Sequence, residues 1–402
     1  MVRNCFSCTP QTKVAIAANM KKIKIFRVIL FILSIPVSIF PQDFKTVHDG
    51  VEYAEVTKEI SGLKVNMNLL RLDLTKVRID VVHAMDEAIG VEKTSSIATR
   101  YGALAAINAG FFRLDNSLYA GDAAGIFMID RTLLSESQNN RVALFINNFA
   151  GSGGVSIAHM EANSSLRIKG KTFHCSGINR ERKENEIILY TSKFHRTTLT
   201  DKSGVEIVVS GQRITAINSG LGSSLIPEKG YVISINGKMR DKILPLVRIG
   251  RKITVFSVPS FRIEGGWPSS ENILTPVTFF SAEDIVGGVP QLIRDGKIDI
   301  TWEKEGSSKA FVETRHPRTA VAKLKDGKFL MITVDGRSEI SGGIGLQDLA
   351  EYLLSLGAID AMNLDGGGST TMFVGGKVVN RPSDKEGERK VSDALLVTPR
   401  KR

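Results

Sequence analysis

Asp365 stands between an apolar run and three glycines, in Asn363-Leu364-Asp365-Gly366-Gly367-Gly368-Ser369-Thr370. Glycine lets a backbone come close to a ligand and adopt positive φ. Three in a row cost conformational entropy that a plain turn seldom requires. Successive N–H groups in such a loop can form an anion-binding nest, and Ser369 and Thr370 add hydroxyl donors. Asp335-Gly336-Arg337 offers a second carboxylate and a guanidinium, although Asp-Gly is also an ordinary turn. Arg318, in Arg315-His316-Pro317-Arg318-Thr319, presents a planar fork suited to phosphate oxygens. A solvated loop with surface ion pairs explains those arginines equally well. Asn108-Ala109-Gly110 follows an apolar strand, where an Asn usually caps or turns.

Other chemistries lack their residues. The histidines (His48, His83, His159, His174, His195 and His316) form no His-x-x-x-His pair, against a His-rich zinc site. Gly170-Lys171-Thr172 is preceded by Ser165 where a P-loop requires glycine. There is no Gly-x-Ser-x-Gly elbow and no redox-cofactor fingerprint. What remains is carboxylate, Arg, Asn and Gly-loop chemistry, which suits a phosphorylated or sugar substrate.

The elements that would position these groups are clearest in the last third. Thr319–Leu324 and Lys328–Val334 read as strands around the turn Asp326-Gly327, and Lys309–Val312 as a strand before them. Leu346–Leu356 has apolar residues at helical spacing and is stopped by Gly357. Ile359–Leu364 is the next strand. Thr370–Val374 and Lys377–Val379 form a hairpin around Gly375-Gly376. If the strands ending at Asp335 and Asp365 are parallel in one sheet, both carboxylates lie on one rim. Upstream, Lys64–Leu70, Val77–Val82 and Ala103–Ile107 read as strands, Thr94–Tyr101 as a short helix and 113–125 as a long loop. Residues 141–260 form a possible β-rich sub-lobe, with strands at Ile187–Thr191, Val205–Val209, Gln212–Ile217, Tyr231–Ile235 and Lys252–Ser257. Asn236-Gly237 reads as a hairpin turn. The fold class expected is α+β: mixed sheets, a strand–helix–strand core in the C-terminal third and the β-rich middle lobe.

The first 41 residues read as a leader. Lys21, Lys22, Lys24 and Arg27 precede the apolar run Val28–Phe40, which contains Pro36 and is shorter than the roughly 20 residues of a spanning helix. That is the pattern of a signal peptide, with Met20 a natural start. The membrane is then needed only for export, to a periplasmic, cell-surface or extracellular location. Six Lys or Arg and no acid lie in residues 1–41, so the formal charge of +11 becomes +5 beyond them. A mildly basic exported protein calls for no nucleic-acid partner. Cys175 alone remains after the leader, leaving no internal disulfide. Nothing in the sequence indicates an oligomeric state.

Several ordered motifs together resemble the phosphodiester glycosidase family. They are Ile107–Phe112, Gly287-Gly288-Val289-Pro290-Gln291-Leu292, Pro317-Arg318-Thr319-Ala320, Val334–Arg337, Asn363–Thr370, Pro382-Ser383-Asp384 and Arg389-Lys390-Val391-Ser392. They cover roughly residues 50–397; Val321-Ala322 departs from the family's usual glycine, and 141–260 matches more loosely. The resemblance implies one such domain over 42–400, hydrolysing a sugar-1-phosphodiester to the sugar and a phosphomonoester. It implies Asp365 as nucleophile, base or oxocarbenium stabiliser, with Asp335 the runner-up. Arg318 and Arg337 would hold the phosphate with Gly366, Gly367, Gly368 and Ser369, and Asn108 and Thr319 would orient the sugar or Asp365. Thr370 completes the substrate-binding set. The substrate class is a sugar phosphate or polysaccharide, with no cofactor required. Two rivals stay open: a non-catalytic envelope protein that binds glycan, and a phosphodiesterase using a divalent cation such as calcium or magnesium on Asp335 and Asp365.

Overall fold

The computed structural model describes residues 43–148, 154–260 and 282–400. The leader expected at residues 1–41 lies outside them. An eight-stranded antiparallel sheet forms the centre. Its strands run, edge to edge, Lys45–His48, Val51–Ile60, Leu63–Leu72, Phe329–Val334, Arg318–Leu324, Ala358–Asn363, Gln291–Arg294 and Lys297–Ile298. Side-chain alternation divides this sheet into two apolar faces. Met67, Leu69, Ala320, Ala322, Leu330 and Ile332 face the helix Leu346–Ser355, which lays Leu346, Leu349, Ala350 and Leu353 on them. Leu70, Leu72, Val321, Met331 and Met362 face the other way. There they meet a second sheet of Lys377–Val378, Met372–Val374, Ala105–Asn108, Asp393–Pro399 and Val77–His83.

The described chain is mainly β, with 46% strand and 12% helix, which corrects the α+β class to a strand-dominated one. The helical pattern at Leu346–Ser355 was legible, but it is one of few helices. Lys309–Glu313 is helical rather than a strand, because Ser308 Oγ caps its first turn by accepting the Phe311 N–H at 3.1 Å. Asn236-Gly237 is not a hairpin turn either. Asn236 Oδ1 accepts the Glu186 N–H at 3.2 Å, and a short helix, Gly237–Ile243, follows.

Within residues 141–260, Val142–Asn147 and Gly154–His159 join a five-stranded sheet with Asp284–Gly287, Phe127–Ile129 and Thr132–Ser135. Glu161–Ile168 pairs with Lys171–His174 and Thr254–Ser260. Gly177–Ile178, Ile187–Thr191, Gly230–Ile235, Val205–Ser210 and Arg213–Ser219 form a further five-stranded sheet around its own apolar cluster. Cys175 is buried with a free thiol.

The site follows from one feature of register. Arg318–Leu324 is antiparallel to both its neighbours, with Arg318 opposite Val334 and Ala320 opposite Asn363. The two neighbours are therefore parallel to each other, with one strand between them. Their C-terminal residues and the start of the middle strand meet at one edge, so Asp335, Asp365 and Arg318 share a rim.

Candidate active site

Asp365 is fixed through its backbone. Its N–H donates to the Ala109 carbonyl at 2.9 Å, and its own carbonyl accepts the Asn108 Nδ2 amide at 2.7 Å. Asn108 is fully buried, and its Oδ1 accepts Thr319 Oγ1 at 2.8 Å and the Thr371 N–H at 3.1 Å. Asn108 and Thr319, expected to orient the sugar or Asp365, are bonded to one another, and Asn108 also to the backbone of Asp365 and Thr371. Asn108 is a positioning residue, as is Asn363, whose Nδ2 donates to the Val289 carbonyl at 2.7 Å beneath the rim.

The three glycines are explained by crowding. A Cβ on Gly366 would sit 2.8 Å from the Pro317 carbonyl oxygen. Gly367 has φ +60, and a Cβ there would lie 3.0 Å from Arg337 Nη2. On Gly368, a Cβ would overlap Arg389 and Asp384. The glycine corner thus lets the guanidinium groups of Arg337 and Arg389 come down onto the backbone next to Asp365. It is not the open N–H nest expected from sequence. The Gly366 N–H donates to Asp365 Oδ1 at 2.9 Å and the Gly367 N–H to the Pro317 carbonyl at 2.8 Å.

The cations of the rim differ sharply. Arg318 is 2% exposed and donates to the carbonyls of Phe311 (2.7 Å), Thr314 (2.8 Å) and Ile344 (3.3 Å), its guanidinium 4.9 Å from the Phe311 ring centroid. Burial, then the charge of Arg337, bring its pKa down to about 10. Expected from sequence as a phosphate clamp, it directs Nε and Nη2 to the loops around it. Arg315 also turns away, onto Asp348 at 3.1 Å and the Gly343 carbonyl at 2.7 Å. Arg337 is exposed and makes no ion pair among the described residues, its nearest polar neighbour being His316 Nδ1 at 3.5 Å. Burial and the charges of Arg318 and Arg337 lower the His316 pKa. Arg389 holds Asp384 in a two-point ion pair of 2.7 and 3.1 Å.

Burial pushes the Asp365 carboxyl up to about 6, against the lowering influence of Ser369, the Gly366 N–H and Arg389. Ser369 Oγ lies near that carboxyl, yet it, Thr370 Oγ1 and Thr371 Oγ1 are buried hydroxyls with no well-formed hydrogen bond to the described residues. Such groups are costly unless something partners them. Asp335 is buried, which raises its pKa, and its Oδ1 accepts the Arg381 N–H at 3.0 Å and Asn380 Nδ2 at 3.4 Å. It anchors the 380–381 segment behind Thr370, whose carbonyl accepts from the same Asn380 amide at 3.0 Å.

Arg389, Asp384 and His316 were not picked out as site residues from sequence. Arg389 and Asp384 lie in the resembling motifs, but it is the space over Gly368 that brings them next to Asp365. Among the described residues no group of three His, Cys, Asp or Glu is arranged to hold a metal ion. The corner as built offers a carboxylate, two arginines, a histidine and three hydroxyls, a set that can hold an anionic oxygen next to a polarised carbon centre.

Residues 203–398 match the family model described as phosphodiester glycosidase. This stretch spans just under half of the chain. It contains the Arg318, Asp335 and Asp365 rim, while Asn108 enters from outside it. N-acetylglucosamine-1-phosphodiester alpha-N-acetylglucosaminidase of Mus musculus is 31% identical over 164 residues, 39% of this chain and 29% of that protein. The chain thus matches under a third of the length of this relative. A hypothetical protein from Synechocystis shares the fold with a TM-score of 0.74 and 24% identity, over 90% of this chain and 64% of that one. A protein of Burkholderia pseudomallei K96243 described as exported shares it with a TM-score of 0.70 and 23% identity, over 84% and 74%.

Proposed function

We propose that this chain hydrolyses the glycosidic bond of a sugar-1-phosphodiester outside the cytoplasm, releasing the sugar and a phosphomonoester. The observation that carries this reading is the placement of Asp365 beside Arg337 and Arg389 over the glycine corner. Water adds to the anomeric carbon, the bond from that carbon to the phosphate oxygen breaks, and the electron pair leaves with phosphate. Phosphate is already a good leaving group, so protonating it matters less than neutralising its charge. Arg337 takes that part, with Arg389 oriented by Asp384, while His316, its pKa lowered, offers the phosphate a hydrogen bond rather than a charge. Asp365 serves the carbon, as base, nucleophile or stabiliser of the oxocarbenium-like centre. With a pKa of about 6 it is largely ionised at neutral pH, as each of those roles requires. The export part of the reading rests on the basic-then-apolar leader. The sugar phosphodiester part rests on the family domain and the mouse relative.

Asp365→Asn tests it, with aryl and sugar-1-phosphodiesters as substrates. The variant keeps the acceptor for the Gly366 N–H and should fold. Turnover should fall about a thousandfold, roughly 4 kcal/mol of transition-state stabilisation. Near-normal turnover by the folded variant would sink the assignment. In solvent enriched in oxygen-18, the label should appear in the sugar; label in the phosphate would mean cleavage at phosphorus instead.

A further inference from the structure

We propose that the middle of the chain carries a docking surface for an anionic phospholipid bilayer, formed by the helix Gly237–Ile243 and the segment after it. Residues 229–252 contain seven Lys or Arg against Asp241 alone, a formal surplus of six. Since residues 42–402 together carry only +5, this one segment supplies all of their net positive charge, and everything else is formally one charge negative. The asymmetry is far from an evenly solvated surface.

The fold turns the apolar residues of this segment inward and leaves its charges outside. Met239 and Ile243 turn inward onto the apolar cluster of Val205, Ile207, Ile233 and Ile235, as do Leu246 and Val247 further on. Lys238 and Lys242, also four residues apart, are left outside. The chain then returns beside the edge strand Arg213–Ser219: the Gly250 N–H donates to the Ile214 carbonyl at 2.8 Å, and Arg213 Nη1 to the Gly250 carbonyl at 2.9 Å. Arg248 and Lys252 extend the row there. Lys238, Lys242, Arg248 and Lys252 are exposed and form no ion pair among the described residues; Arg240 pairs only with its neighbour Asp241, at 3.2 Å.

Two aliphatic side chains decide the partner. Leu244 and Ile249 sit among these cations and face water, Ile249 with 67% of its surface exposed. A soluble polyanion would use the cations and gain nothing from the aliphatics. A bilayer interface uses both: phosphate headgroups meet the Lys and Arg, and the Leu and Ile side chains leave water for the acyl boundary. Nothing in this surface overlaps the Asp365 rim, so the inference stands independently of the proposed reaction.

The test is co-sedimentation of the full chain with vesicles of phosphatidylcholine alone or mixed with phosphatidylglycerol. The protein should pellet with the anionic vesicles and not with the neutral ones, and added salt should release it. Lys238→Glu/Lys242→Glu/Arg248→Glu should weaken binding by at least about tenfold. Should that variant fail to fold, Lys238→Gln/Arg248→Gln carries the same test. Ile249→Asn should weaken vesicle binding while leaving any binding to soluble polyphosphate unchanged. The proposal is overturned if the wild-type chain ignores anionic vesicles or if the charge variants bind as wild type. It is equally overturned, in favour of a soluble-polyanion surface, if Ile249→Asn has no effect on vesicles.

Discussion

The rim of the site has a buried side and an open side, and each carries an arginine that sequence alone had put to the same use. On the buried side, Arg318 is enclosed and donates to the carbonyls of Phe311, Thr314 and Ile344. Asn108, Thr319 and Asp335 are likewise occupied with their neighbours. On the open side, Arg337 reaches over Gly367 toward His316 with no acidic partner among the described residues, and Arg389 covers Gly368. Asp365 lies at the junction. One half of the rim holds the Asp365 loop in place, and the other leaves donors open to solvent. Proximity to Asp365 therefore does not by itself free a residue for chemistry; what matters is whether its donors are already spent.

This contrast is tested most strongly at Arg318. Alanine there removes the donor to the carbonyls of Phe311 and Thr314 and one of two donors to that of Ile344, and it opens space under the Phe311 ring. The expected cost is about 3–5 kcal/mol of folding stability, read as a fall in the urea midpoint. A loss below about 1 kcal/mol would place Arg318 on the functional side after all.

The next effect in size concerns the junction itself. The Asp365 pKa is raised by burial to about 6, so folding favours its protonated form. The stability this contributes is complete below the unfolded carboxyl's pKa and disappears as pH rises through about 6. Holding the charged form at pH 8 therefore costs the fold on the order of 2–3 kcal/mol. Asp365→Asn, inactive in turnover, should be more stable than wild type at pH 8 by up to that amount, and the advantage should vanish near pH 4. Equal melting temperatures at both pH values would show that the carboxylate is not strained by its surroundings.

The sequence made the open loop and its strands readable, and the buried side less so. The apolar runs Lys328–Val334 and Ile359–Leu364, with the helix spacing between them, put Asp335 and Asp365 on one edge on the condition that the two strands run parallel, which they do. They could not reveal that Arg318–Leu324 lies between those two strands, because periodicity reports which face a residue takes and not which strand it pairs with. Arg318 and Arg337 looked alike because burial of a guanidinium depends on distant carbonyls, here at Phe311, Thr314 and Ile344. Arg389 went unselected for the same reason, since only the missing Cβ of Gly368 connects it to Asp365. Lys309–Glu313 was misread as a strand because five residues are too few for periodicity to separate the two forms, and the Ser308 cap outweighed the pattern.

Arg337 gives the smallest effect and the sharpest distinction. Its side chain is exposed and satisfies no buried group, so Arg337→Ala should leave stability within about 0.5 kcal/mol of wild type. If the guanidinium meets an anionic oxygen of the substrate, kcat/KM for a sugar-1-phosphodiester should fall about tenfold, roughly 1.4 kcal/mol, most of it in KM. An uncharged aryl glycoside gives the guanidinium no anion to hold, so whatever slow turnover it shows should be unchanged. The same substitution at Arg318 should do the reverse, lowering stability without changing the preference between the two substrates in whatever fraction stays folded. Should both variants lose stability alike, or both lose the phosphodiester preference alike, the division of the rim into a structural half and a functional half would fail. A lone effect of Arg337→Ala on the charged substrate would instead place the arriving phosphate over Gly367, between Arg337 and His316.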